Sequence, residues 1–504
     1  MISRLPRPLA ALLLLALPAL AAAAAAAAPR PNVVLLMGDD HGWDETGYNG
    51  HPHLKTPVLD EMARTGLRLD RFYSGGASCS PTRGTVMTGR NHNRYGIYAP
   101  GWSLRPEEIT VGHLLQRAGY ATGHFGKWHL GAVKAASPVN PGRMGFDTWV
   151  SHDNFFELDP HLSRNGGPPE RIVGESSEIV IAEAIRFIDR AKAAGQPFLA
   201  VVWFGSPHEP YQAKPEDLAL YDDLPADVGQ RKVRVTSNRT GKNVDRLQRD
   251  VLRERFAEIS AMDRSIGQLR AHLRRQGLGD DTLLWYCGDN GTPQEAVATV
   301  PFRGWKGSVY EGGIRVPGVI EWPARFRQPR ATNVPAVTND ILPTLCALAG
   351  IPVPARPLDG TSLVPLFTGA APVRPAPLVF WNARARGGAA ARAQPYLDPE
   401  LQRGTTPLVK LGPDGTATRN FQNVIQTEVT PEDFSGERAI VEDRFKLVVD
   451  GTAAGKTELF DLAADPAEKT DVSASHPAEA TRLARALRAA QESILRSRTG
   501  ADDR

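Results

Sequence analysis

Cysteine is scarce in this chain of 504 residues, which contains only Cys79, Cys287 and Cys346. Three cysteines cannot build the disulfide framework of a small exported domain, so the fold must depend on an apolar core. Cys287 and Cys346 lie in apolar surroundings, and we expect both to be buried free thiols. Cys79 differs, because its neighbours are Ser, Pro, Thr, Arg and Gly, which are typical of a turn.

Neither positive nor negative charge is in large excess. The formal net charge is only +3, and no block of lysine or arginine occurs. This excludes the basic patch of a nucleic-acid-binding protein, and we expect no nucleic-acid partner. A hydrophobic content of 41% and a charged content of 23% are typical of a folded globular protein. The length favours a large domain plus a smaller one.

Long apolar runs are absent beyond the N-terminal segment. There, Arg4 and Arg7 precede an apolar run over Leu9–Leu20 and an alanine stretch that ends near Ala28. This order predicts a secretory signal peptide over residues 1–28. The stretch is also long enough to cross a bilayer, so an uncleaved anchor stays the alternative. We expect a periplasmic or secreted protein with no membrane contact after cleavage.

Buried strands and helices alternate along most of the chain. Apolar runs predict strands at Asn32–Met37, Pro197–Phe204 and Thr282–Cys287, and helical periodicity is clear in Glu175–Ala193 and Leu252–Arg275. This alternation predicts an α/β fold with a large, mostly parallel sheet flanked by helices.

The last part of the chain has a different pattern. It contains two strand patterns and one helical pattern: Ala439–Val449, Thr457–Leu462 and Pro477–Arg496. A low-complexity segment, Ala383–Gln394, precedes them and predicts a loop. We therefore expect a large α/β domain over 29–368 and a smaller α+β domain, with an antiparallel sheet and a terminal helix, over 369–504.

Acidic and amide side chains follow two of the predicted strands. Asp39 and Asp40 come directly after the first strand, and Asp289 and Asn290 follow a strand far along the chain. Adjacent carboxylates in a loop are often only a solvated turn. Two such clusters at the carboxyl ends of strands predict a metal site, and hard oxygen ligands suit Ca²⁺ or Mg²⁺ rather than zinc.

The run Cys79-Ser80-Pro81-Thr82-Arg83-Gly84 is the most informative motif. Pro81 suits the first turn of a helix, whose N-terminus would then face an anion. The run resembles the maturation signature of type I sulfatases. In that family the cysteine is oxidised to Cα-formylglycine by a formylglycine-generating enzyme, and the hydrated aldehyde attacks sulfate esters. The resemblance implies an alkaline-phosphatase-like fold and a divalent metal held by Asp39, Asp40, Asp289, Asn290 and the modified Cys79.

Further segments match the same family: Gly126-Lys127-Trp128-His129-Leu130-Gly131, Ser206-Pro207-His208-Glu209-Pro210, Arg303-Gly304-Trp305-Lys306 and Glu311-Gly312-Gly313-Ile314-Arg315-Val316-Pro317. The resemblance implies that Lys127 contacts both sulfate and nucleophile, and that His129 supports the aldehyde hydrate and the release of sulfate. His208 would bind the ester side of the sulfate, and Lys306 would bind sulfate and stabilise or protonate the departing oxygen. Arg83 would hold the hydrate or the oxygens around the metal.

The resemblance covers most of the chain and departs at one place. Cys287-Gly288 stands where Thr-Ser or Ser-Ser commonly precedes the Asp-Asn pair, and neither side chain is a ligand. We expect a sulfatase that converts a sulfate ester to an alcohol and sulfate. Its substrate, a small molecule or glycan, is by analogy a sulfated carbohydrate, with aryl sulfates as test substrates. The alternatives are a phosphonate or phosphate diester hydrolase of the same superfamily and a non-catalytic binder of sulfated glycans. Phe146–Pro169 either lines the pocket or is an ordinary packed loop.

Overall fold

The structure is a computed structural model. It describes residues 30–503 except 155, 238–239, 371, 384–392, 409–417 and 453–454. The predicted signal peptide and most of the low-complexity segment lie outside the described residues. Residues Pro31–Arg504 form one compact unit. Within the described part, no helix has both the length and the hydropathy that a membrane crossing requires.

The strands in chain order are β1 (Asn32–Gly38), β2 (Leu67–Leu69), β3 (Phe72–Tyr73), β4 (Ala121–Lys127), β5 (Thr148–His152), β6 (His161–Arg164), β7 (Pro169–Arg171), β8 (Phe198–Trp203), β9 (Lys232–Thr236), β10 (Asn243–Leu247), β11 (Thr282–Gly288), β12 (Gly318–Glu321), β13 (Arg330–Thr332), β14 (Ala336–Val337), β15 (Leu378–Trp381), β16 (Arg403–Pro407), β17 (Thr418–Asn420), β18 (Arg438–Glu442), β19 (Phe445–Val449) and β20 (Thr457–Asp461).

The helices are α1 (Pro57–Thr65), α2 (Cys79–Thr88), α3 (Val111–Arg117), α4 (Ser176–Ala193), α5 (Pro215–Leu218), α6 (Gln248–Arg275), α7 (Glu311–Ile314), α8 (Ile341–Ala349), α9 (Val364–Phe367) and α10 (Pro477–Arg498).

Ten strands form the main sheet, in the order β13-β2-β12-β11-β1-β8-β4-β5-β6-β7. The central strands β11, β1, β8, β4 and β5 are all parallel to one another. Antiparallel strands flank them on both sides: β12 pairs with β11, and β6 pairs with β5. The predicted α/β fold with a large, mostly parallel sheet is therefore confirmed.

The two faces of the main sheet bury two apolar cores. Val33, Leu35 and Met37 of β1 pack in one core with α2, α3 and α8. Val34 and Leu36 pack in the other core with α1, α4 and α6. Because successive strand residues point to opposite faces, a strand covered by helices on both sides must be apolar throughout. This explains the uninterrupted apolar runs from which the strands were predicted.

A smaller antiparallel sheet, in the order β15-β18-β19-β20, follows in the C-terminal part. Its residues Ile440 and Leu447 pack against Leu483 and Leu487 of α10. The predicted terminal helix and the antiparallel pairing with the strand at Thr457 are present. Ala439–Val449 is not one strand, however, because a turn at residues 443–444 divides it into β18 and β19, which pair with each other. The domain boundary between residues 368 and 369 stays a prediction.

The segment Leu67–Tyr73 contains two separate strands. Strand β2 pairs with β12 and β13 in the main sheet, and β3 pairs with β14. Phe146–Pro169 is not a simple loop, since β5 and β6 lie within it and extend the main sheet. Both strands are short and carry polar residues, so their pattern alone is weak.

Candidate active site

The two predicted acidic clusters meet at one edge of the main sheet. Strands β1 and β11 run parallel and in register up to the pair Gly38 and Gly288, so the residues that follow them are neighbours. The backbone N–H of Asp40 donates to Oδ1 of Asp289 at 2.8 Å. A Cβ at Gly288 would lie 2.0 Å from the carbonyl oxygen of His41. Glycine at this departure from the family pattern therefore permits the close approach of the two loops.

Helix α2 begins at Cys79 and points its N-terminus at these carboxylates. The Cys79 Sγ atom is 3.4 Å from Oδ1 of Asp39 and 3.8 Å from Oδ1 of Asp40. Arg83 lies one helical turn later on the same face, and its Nη2 is 2.8 Å from Oδ2 of Asp289. The predicted helix start thus places thiol and guanidinium together at the acidic edge.

Strand β4 ends at Lys127, whose Nζ is 2.5 Å from Oδ2 of Asp39. His129 follows with a positive φ of 54°. Its backbone carbonyl accepts a hydrogen bond from Ser80 Oγ at 2.7 Å, which ties this loop to α2. Both ring nitrogens of His129 are buried and have no hydrogen-bond partner among the described residues. The ring is therefore free to exchange a proton with a group in the site.

Lys306 and His208 approach Asp40 from two other loops. The Nζ of Lys306 is 2.6 Å from a carboxylate oxygen of Asp40. The Nε2 of His208 is 3.7 Å from Oδ2 of the same carboxylate. The structure thus brings together all the side chains named from the sequence: Asp39, Asp40, Cys79, Arg83, Lys127, His129, His208, Asp289, Asn290 and Lys306.

Burial and mutual charge set the ionisation of the carboxyl groups. Burial raises the pKa of Asp40, but Lys306 and His208 more than offset it and hold the value at about 2. Burial also raises the pKa of Asp39, but the nearby cations, mainly Lys127, outweigh it, and the pKa lies well below the usual range. Burial and the charge of Asp39 raise the pKa of Asp289 to about 7, although Arg83 opposes them. Three carboxylates and three cations therefore share the buried site, and Asp289 is the least readily ionised of these carboxyl groups.

The thiol and the two histidines stay neutral. Burial raises the pKa of the Cys79 thiol above its ordinary value. A thiol in that state is a poor nucleophile, because the thiolate is the reactive form. Burial also lowers the pKa of His129 and of His208 well below the ordinary value. Both rings are therefore proton acceptors at neutral pH.

The donor set fits a hard divalent cation. Ligand atoms of Asp39, Asp40, Cys79 and His208 all lie within 4.8 Å of one another. The Oδ1 atom of Asn290 is buried and has no hydrogen-bond partner in the described part of the chain, while its Nδ2 donates to Asp40 at 2.9 Å. An orphaned buried carbonyl beside carboxylates is an arrangement that Ca²⁺ or Mg²⁺ satisfies.

Sequence reasoning missed a buried arginine that supports the site. Arg255 of α6 pairs with Glu45 at 2.6 Å and donates to the backbone carbonyls of Asp40 and Pro207, each at 2.5 Å. It therefore joins the loop of Asp40 to the loop of His208. An arginine on the buried face of an amphipathic helix was the available signal.

A second missed residue, Arg419, lies in β17 beyond a segment with no clear pattern. The charge of its guanidinium contributes to the lowered pKa of His129, after burial and Lys127. Nothing in the local sequence distinguishes this arginine from a surface residue.

Comparisons with known proteins agree on one family. The family model for sulfatases matches residues 31–351. Arylsulfatase A of Homo sapiens is 33% identical over 371 residues, which cover 67% of this chain and 68% of that protein. N-acetylgalactosamine-6-sulfatase of Mus musculus is 30% identical over 374 residues. That match covers 66% of this chain and 66% of the mouse protein, slightly less than two thirds of its length.

Solved structures share the fold. The crystal structure of Ps i-CgsB in complex with k-i-k-neocarrahexaose has a TM-score of 0.73 and 22% identity, covering 92% of this chain and 94% of that one. The phosphonate monoester hydrolase of Agrobacterium radiobacter has a TM-score of 0.61 and 22% identity, covering 92% and 96%. At these identities the likeness concerns the fold alone.

The family match places the chain in the alkaline phosphatase superfamily. Within it, the chain belongs to the sulfatase family. The predicted family and the predicted class of enzyme are thereby confirmed at the level of the family.

Proposed function

We propose that this protein hydrolyses sulfate esters to an alcohol and inorganic sulfate. The observation that carries the proposal is the position of Cys79, at the N-terminus of α2 and 3.4 Å from a carboxylate oxygen of Asp39. A helix N-terminus favours an anion. Lys127, Lys306 and Arg83 surround the same point with positive charge. These cations match an ester that gains negative charge on its bridging oxygen as the S–O bond breaks.

Cys79 would act after oxidation to Cα-formylglycine by a formylglycine-generating enzyme. The hydrated aldehyde supplies a hydroxyl nucleophile and a second hydroxyl through which the enzyme is regenerated. The raised pKa of the buried thiol supports this reading, because an unmodified Cys79 is protonated and unreactive.

A divalent cation, Ca²⁺ or Mg²⁺, would be held by Asp39, Asp40, Asp289, Asn290 and residue 79. It supplies a Lewis acid that withdraws charge from the sulfate and the nucleophile. The orphaned Oδ1 of Asn290 and the raised pKa of Asp289, caused by burial and by Asp39, support this assignment.

The remaining side chains would act at the two ends of the scissile bond, some at the nucleophile and others at the departing oxygen. His129, neutral and with both ring nitrogens free, would accept a proton from the nucleophilic hydroxyl. Lys127, at the end of β4, would bind both sulfate and nucleophile. Lys306 and His208, both beside Asp40, would bind the ester oxygen and stabilise it as it departs. Arg83, fixed by Asp289, would orient the hydrate.

The substrate class we propose is a sulfated carbohydrate, acted on outside the cytoplasm in the periplasm or after secretion. Similarity to an N-acetylgalactosamine-6-sulfatase and to Ps i-CgsB, whose crystal structure contains k-i-k-neocarrahexaose, supports a carbohydrate. The presence of every expected side chain in one cluster supports an enzyme rather than a non-catalytic glycan binder.

Paired assays test the proposal against its enzymatic alternative. Protein produced together with a formylglycine-generating enzyme would be assayed on para-nitrophenyl sulfate, on bis-para-nitrophenyl phosphate and on a phenylphosphonate monoester. We expect the highest kcat/KM for the sulfate. Preferential turnover of the phosphate or phosphonate would instead favour the alternative, which the fold shared with a phosphonate monoester hydrolase keeps in view.

A further inference from the structure

A hairpin from the C-terminal part of the chain lies against the active site. Its strands β16 and β17 pair antiparallel, with Arg403 opposite Asn420. Asp153, which directly follows β5, accepts hydrogen bonds from the backbone N–H groups of Thr405 at 2.6 Å and Thr406 at 2.8 Å. The residue before it, His152, is the register partner of Lys127. The hairpin is therefore anchored beside the catalytic end of β4.

The hairpin directs one face toward His129. The ring of Phe421 packs edge-on against the ring of His129, with centroids 6.1 Å apart. The backbone N–H of Phe421 donates to the carbonyl of Gln402, so the extended pairing continues through this residue. Because residues two apart in an extended strand share a face, the side chain of Arg419 lies on the same side as Phe421.

Arg419 has no counter-charge within the described part of the chain. Its side chain makes no hydrogen bond or ion pair there, and its buried Nε has no acceptor. Burial lowers the pKa of Arg419, and the nearby Cys79 position opposes that effect. Gly101, at a φ of 92°, leaves room for the guanidinium, since a Cβ there would lie 2.8 Å from Nη2. The structure thus holds a partly buried cation next to the site, with its charge unpaired among the described residues.

The other cations of the site are paired with its carboxylates and are proposed to act at the reacting sulfate. Arg83 pairs with Asp289, Lys127 with Asp39 and Lys306 with Asp40, at 2.5 to 2.8 Å. Arg419 lies outside this network, on a different part of the chain. A guanidinium with free N–H groups matches the planar or trigonal oxygens of a carboxylate or a sulfate group.

We propose that Arg419 binds a second anionic group, a carboxylate or a further sulfate, on the alcohol part of the sulfate ester. The preferred substrates are then sulfated carbohydrates that carry more than one negative group. This inference rests on the proposed sulfatase activity and adds the specificity to it.

The test compares three aryl esters that differ in the second group: phenyl sulfate, meta-carboxyphenyl sulfate and resorcinol disulfate. We expect the wild type to show a higher kcat/KM for the two esters with a second anion. Arg419→Gln should lower the ratio of kcat/KM for an anionic ester to that for phenyl sulfate by about tenfold. Arg419→Lys should give an intermediate ratio, because the charge is kept and the planar fork is lost.

Arg403→Gln is the matched control, since Arg403 lies on the same hairpin with its side chain 60% exposed. It should leave the ratio unchanged. The anionic ester whose kcat/KM ratio falls more in Arg419→Gln identifies the carboxylate or the sulfate as the preferred group. An unchanged ratio in Arg419→Gln would overturn the inference, and so would equal losses on all three esters, which would place Arg419 on the reacting sulfate. Turnover of phenyl sulfate by the wild type reports separately on the proposed function.

Discussion

At the scale of single residues, the site is a set of charges that balance one another across distant loops. Asp40 has a pKa of about 2, because Lys306 and His208 outweigh the effect of burial. Asp289 has a pKa of about 7, because burial and Asp39 outweigh Arg83. Asp289 is thus the carboxyl group whose ionisation a bound divalent cation would favour most.

Replacing Asp289 by Ala should remove the cation and the activity together. We expect the dissociation constant for Ca²⁺ or Mg²⁺ to rise by at least about tenfold. Metal content after equilibrium dialysis measures this independently of turnover. Asp281→Ala is the control, because Asp281 is exposed directly before β11, at the opposite end from Asp289. Undiminished metal binding by Asp289→Ala would refute the ligand assignment.

The sequence identifies the site residues well because they are carried by short, specific motifs. Cys79, Lys127 and Lys306 were each named from such a motif, and the structure places all three around Asp39 and Asp40. Arg255 and Arg419 were not identified from the sequence, because their roles depend on tertiary contacts that no local pattern encodes. A buried arginine in a helix and an arginine in a short edge strand look ordinary in a sequence.

At the scale of elements, apolar strands and long helices were predictable and polar extensions were not. Strands β1, β8 and β11 are buried on both faces, so their apolar runs are unmistakable. The hairpin of β16 and β17 is held instead by polar contacts to Asp153, and its strands carry few apolar residues. Such an element follows from the surface on which it docks and leaves little trace in its own sequence.

Asp153 should therefore control the stability of the hairpin. Its carboxylate accepts hydrogen bonds from Thr405, Thr406 and Val133, and Asp153→Ala leaves those backbone donors unpaired. We expect the free energy of local unfolding of the hairpin to fall by about 1–3 kcal/mol. Faster amide hydrogen exchange in 403–407 and 418–420 would report it. Asp159→Ala, in a partly exposed loop pair with Arg171, should leave that exchange unchanged. Equal protection in both variants would contradict the role of Asp153.

At the scale of the whole molecule, buried ion pairs connect the C-terminal sheet to the loops of the site. Lys446 of β19 lies 2.9 Å from Glu311 and 2.8 Å from Glu468, and all three are buried. Glu311 begins α7, a few residues after Lys306. The C-terminal sheet therefore supports the segment that carries Lys306.

Replacing Lys446 by Met should destabilise the whole protein. The change leaves the buried Glu468 without its cation and Glu311 with only Arg315 at 3.4 Å. Breaking a buried ion pair on one side typically costs about 3–5 kcal/mol. A lower midpoint in chemical denaturation measures the loss. The control Lys456→Met removes a lysine that is 69% exposed and contacts Glu458 at 3.4 Å, and it should have little effect. Equal stability of the two variants would contradict the structural role of Lys446.

A second ion pair, between Asp359 and Arg94, makes the free energy of unfolding depend on pH. Asp359 pairs with Arg94, which also donates to Ser497 of α10. Burial raises the pKa of Asp359, but Arg94 outweighs it and holds the pKa below the ordinary value. The stabilisation is thus present above the ordinary carboxyl pKa and is lost as the pH falls through the lowered one.

Asp359→Asn should therefore lower the free energy of unfolding at neutral pH by about 2 kcal/mol. The difference from the wild type should shrink as the solution is acidified through the lowered pKa, because the wild-type carboxylate is then protonated. Denaturation midpoints over a pH series measure it. A difference that stays constant down to strongly acidic pH would show that the ion pair is not its cause.

The most direct measurement joins the mass of the Cys79 peptide to sulfate release by the same sample. Protein made with a formylglycine-generating enzyme should show the mass change from a thiol-bearing side chain to an aldehyde, and turnover should scale with the converted fraction. Cys79→Ala should release no sulfate under the same conditions. Full turnover by Cys79→Ala, or by wild-type protein whose Cys79 is entirely unmodified, would contradict the account.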